Sequence, residues 1–183
     1  MTEVSQVAYS TQDIEATALD MIARDGVGPF YFAEFPLYDL TYQGKAAHYD
    51  RIQVAFGYKG DLQIELLQVP AGGHSIYAEG IAGRRELFHH SYVKSDEDYD
   101  AIVARHEQAG EMATYKGVSL AGEDRIRFCY VDARERLGHF VEMLETNKMV
   151  GPAAKIFDAY EQIKRAARGW DGKDPIRQMA DLF

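Results

Sequence analysis

The chain has 183 residues, 46% of them hydrophobic, enough for one compact domain or for two small modules sharing a core, and too apolar for a disordered segment. Its formal net charge of −9 works against nucleic-acid partners, whose phosphates are bound largely by Lys and Arg. No stretch reaches the ~18 apolar residues of a membrane span, and the first fifteen residues lack the basic and apolar regions of a signal peptide, so no membrane partner and a cytoplasmic location are expected. Small anionic substrates stay compatible, since a bound metal and a few local Arg outweigh net charge at short range.

In chain order, Val4 to Ser10 has the β-branched and aromatic content of a strand. Asp13 can cap a helix with Ile14, Ala18, Met21 and Ile22 on its inner face, closed by Gly26. Strands are predicted at Phe30–Phe35, Arg51–Gly57 and Leu62–Val69, with turn residues Gly57 to Asp61 between the last two. A Gly- and Ala-rich linker, Pro70 to Gly83, follows. The order then returns: a strand at Phe88–Lys94, a helix starting at Ser95 or Asp96 and running through Tyr99, Ile102, Val103 and His106 to Gly110, and strands at Met112–Val118, Arg125–Asp132 and His139–Glu145. A turn at Arg136-Leu137-Gly138 separates the last two.

Local sequence repeats as well. Asp50-Arg51-Ile52 to Phe56 returns as Asp124-Arg125-Ile126 to Tyr130, an offset of 74 (124 − 50), and Ile64-Glu65-Leu66-Leu67 returns as Val141-Glu142-Met143-Leu144, an offset of 77 (142 − 65). The closing glycines Gly26 and Gly110 are 84 apart (110 − 26). Internal duplication governs the fold: two βαβββ modules, residues 1–69 and 84–147, form an α+β domain over residues 1–150. The remainder, 151–183, is a C-terminal helical extension. It opens at Pro152, carries Ile156, Tyr160, Ile163 and Ala167 on one face and ends at Gly169, and a second short helical signal lies in Trp170–Phe183. The simplest role for this extension is packing on the domain or on a dimer partner, with a lid over an active site the less favoured one.

Glu65 and Glu142 are flanked by apolar residues in strands, so each is buried on either face. A buried carboxylate needs a partner, a proton or a metal. Salt bridges to Arg51, Arg125 or Arg127 are the plain explanation for one such Glu; two at matched repeat positions favour a shared site. The first strand of each module lies beside its last in such a sheet, bringing in Gln6 and one of His89 or His90, which alternate faces so that one at most is a ligand. An offset of 84 pairs Gln6 with His90, and an offset of 83 pairs it with His89. Three oxygens and one nitrogen suit a single divalent Zn, Co, Ni, Mn or Fe and leave positions open for substrate. His139 falls on the face opposite Glu142; His48, His74 and His106 are scattered and read as solvated. Cys129, the single cysteine, lies between Phe128 and Tyr130 and reads as a buried, inert thiol. Gly-rich phosphate loops and a Ser-centred nucleophile elbow are absent, and no organic cofactor is expected.

Gln6-Val7-Ala8-Tyr9 with Asp13, Gly26-Val27-Gly28-Pro29-Phe30, Gly60-Asp61-Leu62-Gln63-Ile64-Glu65-Leu66, His89-His90 and Leu137-Gly138-His139-Phe140-Val141-Glu142 together resemble the vicinal-oxygen-chelate (glyoxalase/bleomycin resistance/dioxygenase) superfamily, in its branch with methylmalonyl-CoA epimerase and glyoxalase I. The resemblance spans about Val4 to Glu145. It implies a pseudo-symmetric half-barrel with metal ligands at Gln6, Glu65, His90 and Glu142, the family's His-His pattern favouring His90. It also implies catalysis by Glu142, then Glu65, in an isomerase or epimerase that abstracts a proton α to a carbonyl of a small organic acid, acyl-CoA or catabolic intermediate. A glyoxalase-type lyase and a metal-free small-molecule binding or resistance protein are the alternatives. Relatives that use glutathione carry Arg four residues after the first ligand and Asn four after the second, where this chain has Ser10 and Val69. A small-molecule substrate and a homodimer are the expected partners.

Overall fold

The computed structural model describes residues 4–47, 51–71, 75–93, 95, 97–119, 125–145 and 152–183. The readings made above for His48, Asp50, His74, Lys94, Asp96 and Asp124 fall outside them. The first module is β1 (Val4–Thr11), α1 (Ile14–Asp25), β2 (Phe30–Tyr42) with a short β3 (Lys45–Ala46), β4 (Arg51–Lys59) and β5 (Leu62–Gln68). The second is β6 (Glu86–Val93), α2 (Tyr99–Gln108), β7 (Ala113–Ser119), β8 (Ile126–Asp132), a four-residue α3 (Arg134–Leu137) and β9 (Phe140–Leu144). After them come α4 (Pro152–Arg168), β10 (Ile176–Gln178) and a final 3-10 turn at Met179–Leu182.

Asp13 caps α1 by accepting from the Ala16 N–H, and Gly26 ends it at φ 64°, a left-handed turn suited to glycine. For α2 the cap is Asp98, whose carboxylate accepts from Asp100 and Ala101 N–H. That corrects the expected Ser95 or Asp96 start: in an acidic run every Asp can cap, and the apolar face beginning at Tyr99 decides which does.

The sheet runs β10-β2-β4-β5-β1-β6-β9-β8-β7, and a further β2–β7 pairing closes eight strands into a barrel. Each module thus supplies half of it. In each, the first strand lies parallel to the last, Ala8 opposite Glu65 and Tyr92 opposite Glu142, while β1 and β6 meet antiparallel, Gln6 opposite Tyr92 and Ala8 opposite His90. An offset of 84 (92 − 8) exchanges these pairs, as a local two-fold requires. Strand β2 outruns its expected end at Phe35: Pro36 marks the place where it leaves β4 and turns to β7, with a register shift between Tyr38 and Thr41 where Asp39 takes φ 51°.

Alternation divides the apolar residues into three cores. Inward residues of the strands, such as Val54, Phe56, Tyr115 and Phe128, fill the barrel together with Ala159 and Ile163 of α4. Outside, Ile14, Ala18 and Met21 of α1 cover Ile64 and Leu66, and Tyr99, Ile102 and Val103 of α2 cover Cys129, Val141 and Met143. The C-terminal extension therefore belongs to the barrel's own core. Its last part is a strand as well as a helical turn: Ile176–Gln178 pairs parallel with Phe30–Phe32, because the edge of β2 offers free backbone groups there. Among the described residues no helix is long and apolar enough to cross a membrane.

Candidate functional site

Glu65 and Glu142 both project into the barrel, on strands that occupy equivalent places in the two modules. His90, fully buried, lies between them: its Nε2 is 3.3 Å from Glu65 Oε2 and 3.5 Å from Glu142 Oε2. Arg51, Arg125 and Arg127, the plausible neutralising partners, bond instead to Glu34, Asp39, and Glu145 with Asp100. Gln6 reaches the same space from β1. Its Nε2 donates to Gln63 Oε1 (2.8 Å), and Gln63 Nε2 donates in turn to the Tyr58 hydroxyl (2.9 Å). This chain fixes the Gln6 amide and leaves its buried Oε1 with no hydrogen-bond partner among the described residues.

Burial alone would hold the His90 imidazolium down, but Glu142 and Glu65 outweigh it and push the group up to about 9. Burial holds Glu65 above its ordinary range; contact with His90 opposes that shift and the charge of Glu142 adds to it. A positive imidazolium between two carboxylates offsets one of their two charges in the metal-free cluster.

His, Cys, Asp and Glu side chains among the described residues form no closed group of three around an ion. The donors nevertheless suit a divalent metal in kind, and the distances from His90 to each carboxylate fall in the range of about 3.0–3.5 Å at which atoms bonded to one ion at about 2.0–2.2 Å stand from each other. An uncommitted buried oxygen on Gln6 is the second sign, since a buried acceptor without a donor costs about 1–3 kcal/mol. The structure thus brings Gln6, Glu65 and Glu142 to one cavity wall, with His90 buried in contact with the two carboxylates.

His89 departs from expectation. Strict alternation would turn it away from His90, but β6 carries a bulge where Ala8 pairs with His90 and Tyr9 with Phe88, and the skipped residue turns inward. Its ring is buried against Tyr77, Tyr130 and Phe140, and its Nδ1 lies 2.9 Å from His90 Nδ1. Burial, then the charge of His90, holds His89 well below its ordinary value. His139 lies outside the barrel, bonded to Ser91 Oγ and the Leu137 carbonyl. His106 bonds to Glu111 on a half-buried surface, so it is not simply solvated.

Two further parts of the site escape a strand-by-strand reading. The linker folds back as a 3-10 turn at Ile76–Ala78 and buries Tyr77 beside Tyr130, with 3.5 Å between the hydroxyls; the only signal was an Ile-Tyr pair in a Gly- and Ala-rich stretch. Helix α4 lies over the barrel, so that Ile156, Phe157 and Tyr160 line the cavity holding the two carboxylates, which has a volume of about 360 Å3. The Tyr160 ring packs on Phe56, 4.9 Å between centroids, and its hydroxyl is pushed up by burial and by the charges of Glu65 and Glu142.

No family model matches the sequence, and no curated protein matches it. Solved structures do. Methylmalonyl-CoA epimerase of Mycobacterium tuberculosis aligns over 83% of this chain and 91% of its own, with 17% identity and a TM-score of 0.52. The Streptomyces coelicolor methylmalonyl-CoA epimerase, in complex with 2-nitronate-propionyl-CoA, aligns over 79% of this chain and 96% of its own, with 19% identity and a TM-score of 0.51. At such identities the likeness is one of architecture, and it agrees with paired βαβββ modules around a shared barrel. The fold of this chain is thus similar to that of these methylmalonyl-CoA epimerases.

Proposed function

We propose that the protein is a metal-dependent isomerase or epimerase that removes a proton α to a carbonyl. The observation that carries this reading is the convergence of Glu65 and Glu142, from equivalent strands of the two modules, on one apolar cavity, with the buried His90 in contact with both. Gln6, Glu65, His90 and Glu142 would hold one divalent ion, whose contribution when bound is Lewis-acid polarisation of a carbonyl oxygen. The fold shared with epimerases that act on an acyl-CoA supports the same reaction type.

In this reading, Glu142 takes the proton from the α-carbon, as a carboxylate on the cavity that can swing off the cluster when substrate oxygens take its place. Glu65 stands on the other side as the second base that an epimerisation uses to return a proton to the opposite face. Gln63 and Tyr58 keep the Gln6 oxygen aimed inward, and α4 excludes water above the reacting carbon. The test is exchange of the α-proton in D2O, followed by NMR, for a panel of carbonyl compounds. Exchange is expected with the parent and lost in Glu142→Gln with metal retained; exchange unchanged in that variant removes Glu142 as the base, and no exchange with any compound favours a binding protein.

A further inference from the structure

The cavity also carries information about what it encloses. Its volume, about 360 Å3, is at the small end of ligand pockets, which run from about 300 to 1,000 Å3. Apart from the polar cluster its walls join aliphatic side chains such as Val54 and Leu67 with a set of rings, among them Phe56 and Phe128 from the barrel and Phe157 and Tyr160 from α4. Charge is distributed in the same sense. Asp61, Asp158 and Glu161 line the cavity on the α4 side, whereas Lys164 is the single basic lining residue among the described ones and is bound to Asp61 at 2.9 Å. Arg168, one helical turn further along α4, is bound to the same Asp61 carboxylate at 2.8 Å. A phosphate brought to this side would face Asp158 and Glu161, with Lys164 and Arg168 both engaged by Asp61, in a chain whose net charge is −9.

We propose that the site takes a compact, uncharged carbonyl compound with an aromatic body and two neighbouring oxygens, and that it discriminates against acyl-CoA esters even though its fold is that of acyl-CoA epimerases. The aromatic portion lies among Phe56, Phe128 and Tyr160, where ring contacts reward a flat apolar group. The paired oxygens face Gln6, Glu65, His90 and Glu142. This inference rests on the proton-transfer reading for the reaction but not for binding, so the two can fail separately.

Metal-loaded, full-length protein titrated calorimetrically with 2-hydroxyacetophenone and with propionyl-CoA decides the matter. The aromatic ketone is expected to bind at least about tenfold more tightly, and to exchange its α-protons in D2O. Tighter or equal binding of propionyl-CoA overturns the proposal, as does failure of both to bind. Preferential binding of the ketone without exchange keeps the substrate class and sinks the proton-transfer reading instead. A second arm uses the exposed charges of α4: Asp158→Lys with Glu161→Lys is expected to strengthen propionyl-CoA binding by about fivefold or more and so to narrow the preference for the ketone. Propionyl-CoA affinity that does not move in this variant removes the electrostatic half of the argument and overturns the proposal as stated.

Discussion

His89 and His90, neighbours in one strand, turn both rings into the barrel and share a hydrogen bond of 2.9 Å between their Nδ1 atoms. Since His90 is held in its protonated range and His89 far below its own, His90 donates and His89 accepts. A cation that replaced the proton on His90 Nε2 would leave this bond intact, so His89 orients the ligand from behind. His89→Phe keeps a ring among Tyr77, Tyr130 and Phe140 but removes the acceptor; metal affinity, measured by competition with a chelator, is expected to fall about 10- to 100-fold.

The cluster itself is tested by metal content. Elemental analysis after dialysis is expected to find about one divalent ion per chain, and Glu65→Ala or Glu142→Ala to lose most of it. Variants that hold as much metal as the parent would place the ion elsewhere.

The metal-free protein should show the His90 proton in its stability. A folded value of about 9 against an ordinary 6.5 means that the stabilisation is fully present below about pH 6.5 and is lost as pH rises through 9, a total of about 3 kcal/mol. His89 acts in the opposite sense, because the buried form is neutral and its value is depressed: stability drains away as pH falls below 6.5. Urea denaturation at several pH values should therefore place the maximum near 6.5, and His90→Gln should flatten the alkaline limb. Metal affinity, competing with the same proton, is expected to rise with pH up to about 9.

Helix α4 contributes to the barrel core, not only to its cover. Ile163 is wholly buried among barrel residues, and Ile163→Ala is expected to cost about 2–5 kcal/mol, read as a lower denaturation midpoint with a single transition.

Much of this was legible because duplication writes its own register. The matched offsets located the strands and set Glu65 against Glu142, while the full set with Gln6, and His90 in preference to His89, came from the family resemblance. The bulge at His89 was not legible, since nothing in Phe88-His89-His90 marks the loss of one pairing residue. Nor was the extent of β2 past Pro36, which depends on a change of partner from β4 to β7 across the whole barrel. The apolar face of α4 was plain in Ile156, Tyr160 and Ile163, but such a stripe says only that something is covered, and what it covers is settled by tertiary packing. Ile176-Arg177-Gln178 is too short for any periodic signal and becomes a strand only because β2 has an open edge beside it.

The repeat ends before α4, and that has a stereochemical consequence. The helix packs on β4 and is tied by Lys164 and Arg168 to Asp61 in the β4–β5 turn, so it leans on the first module, next to Glu65. Glu65 and Glu142 are equivalent by duplication, yet α4 is fastened at Asp61, in the turn before the strand that carries Glu65. A flat intermediate held between them would have one sheltered face and one wetter face, so solvent deuterium should enter from the Glu142 side first, and the product formed early would be of one hand before the racemic mixture is reached.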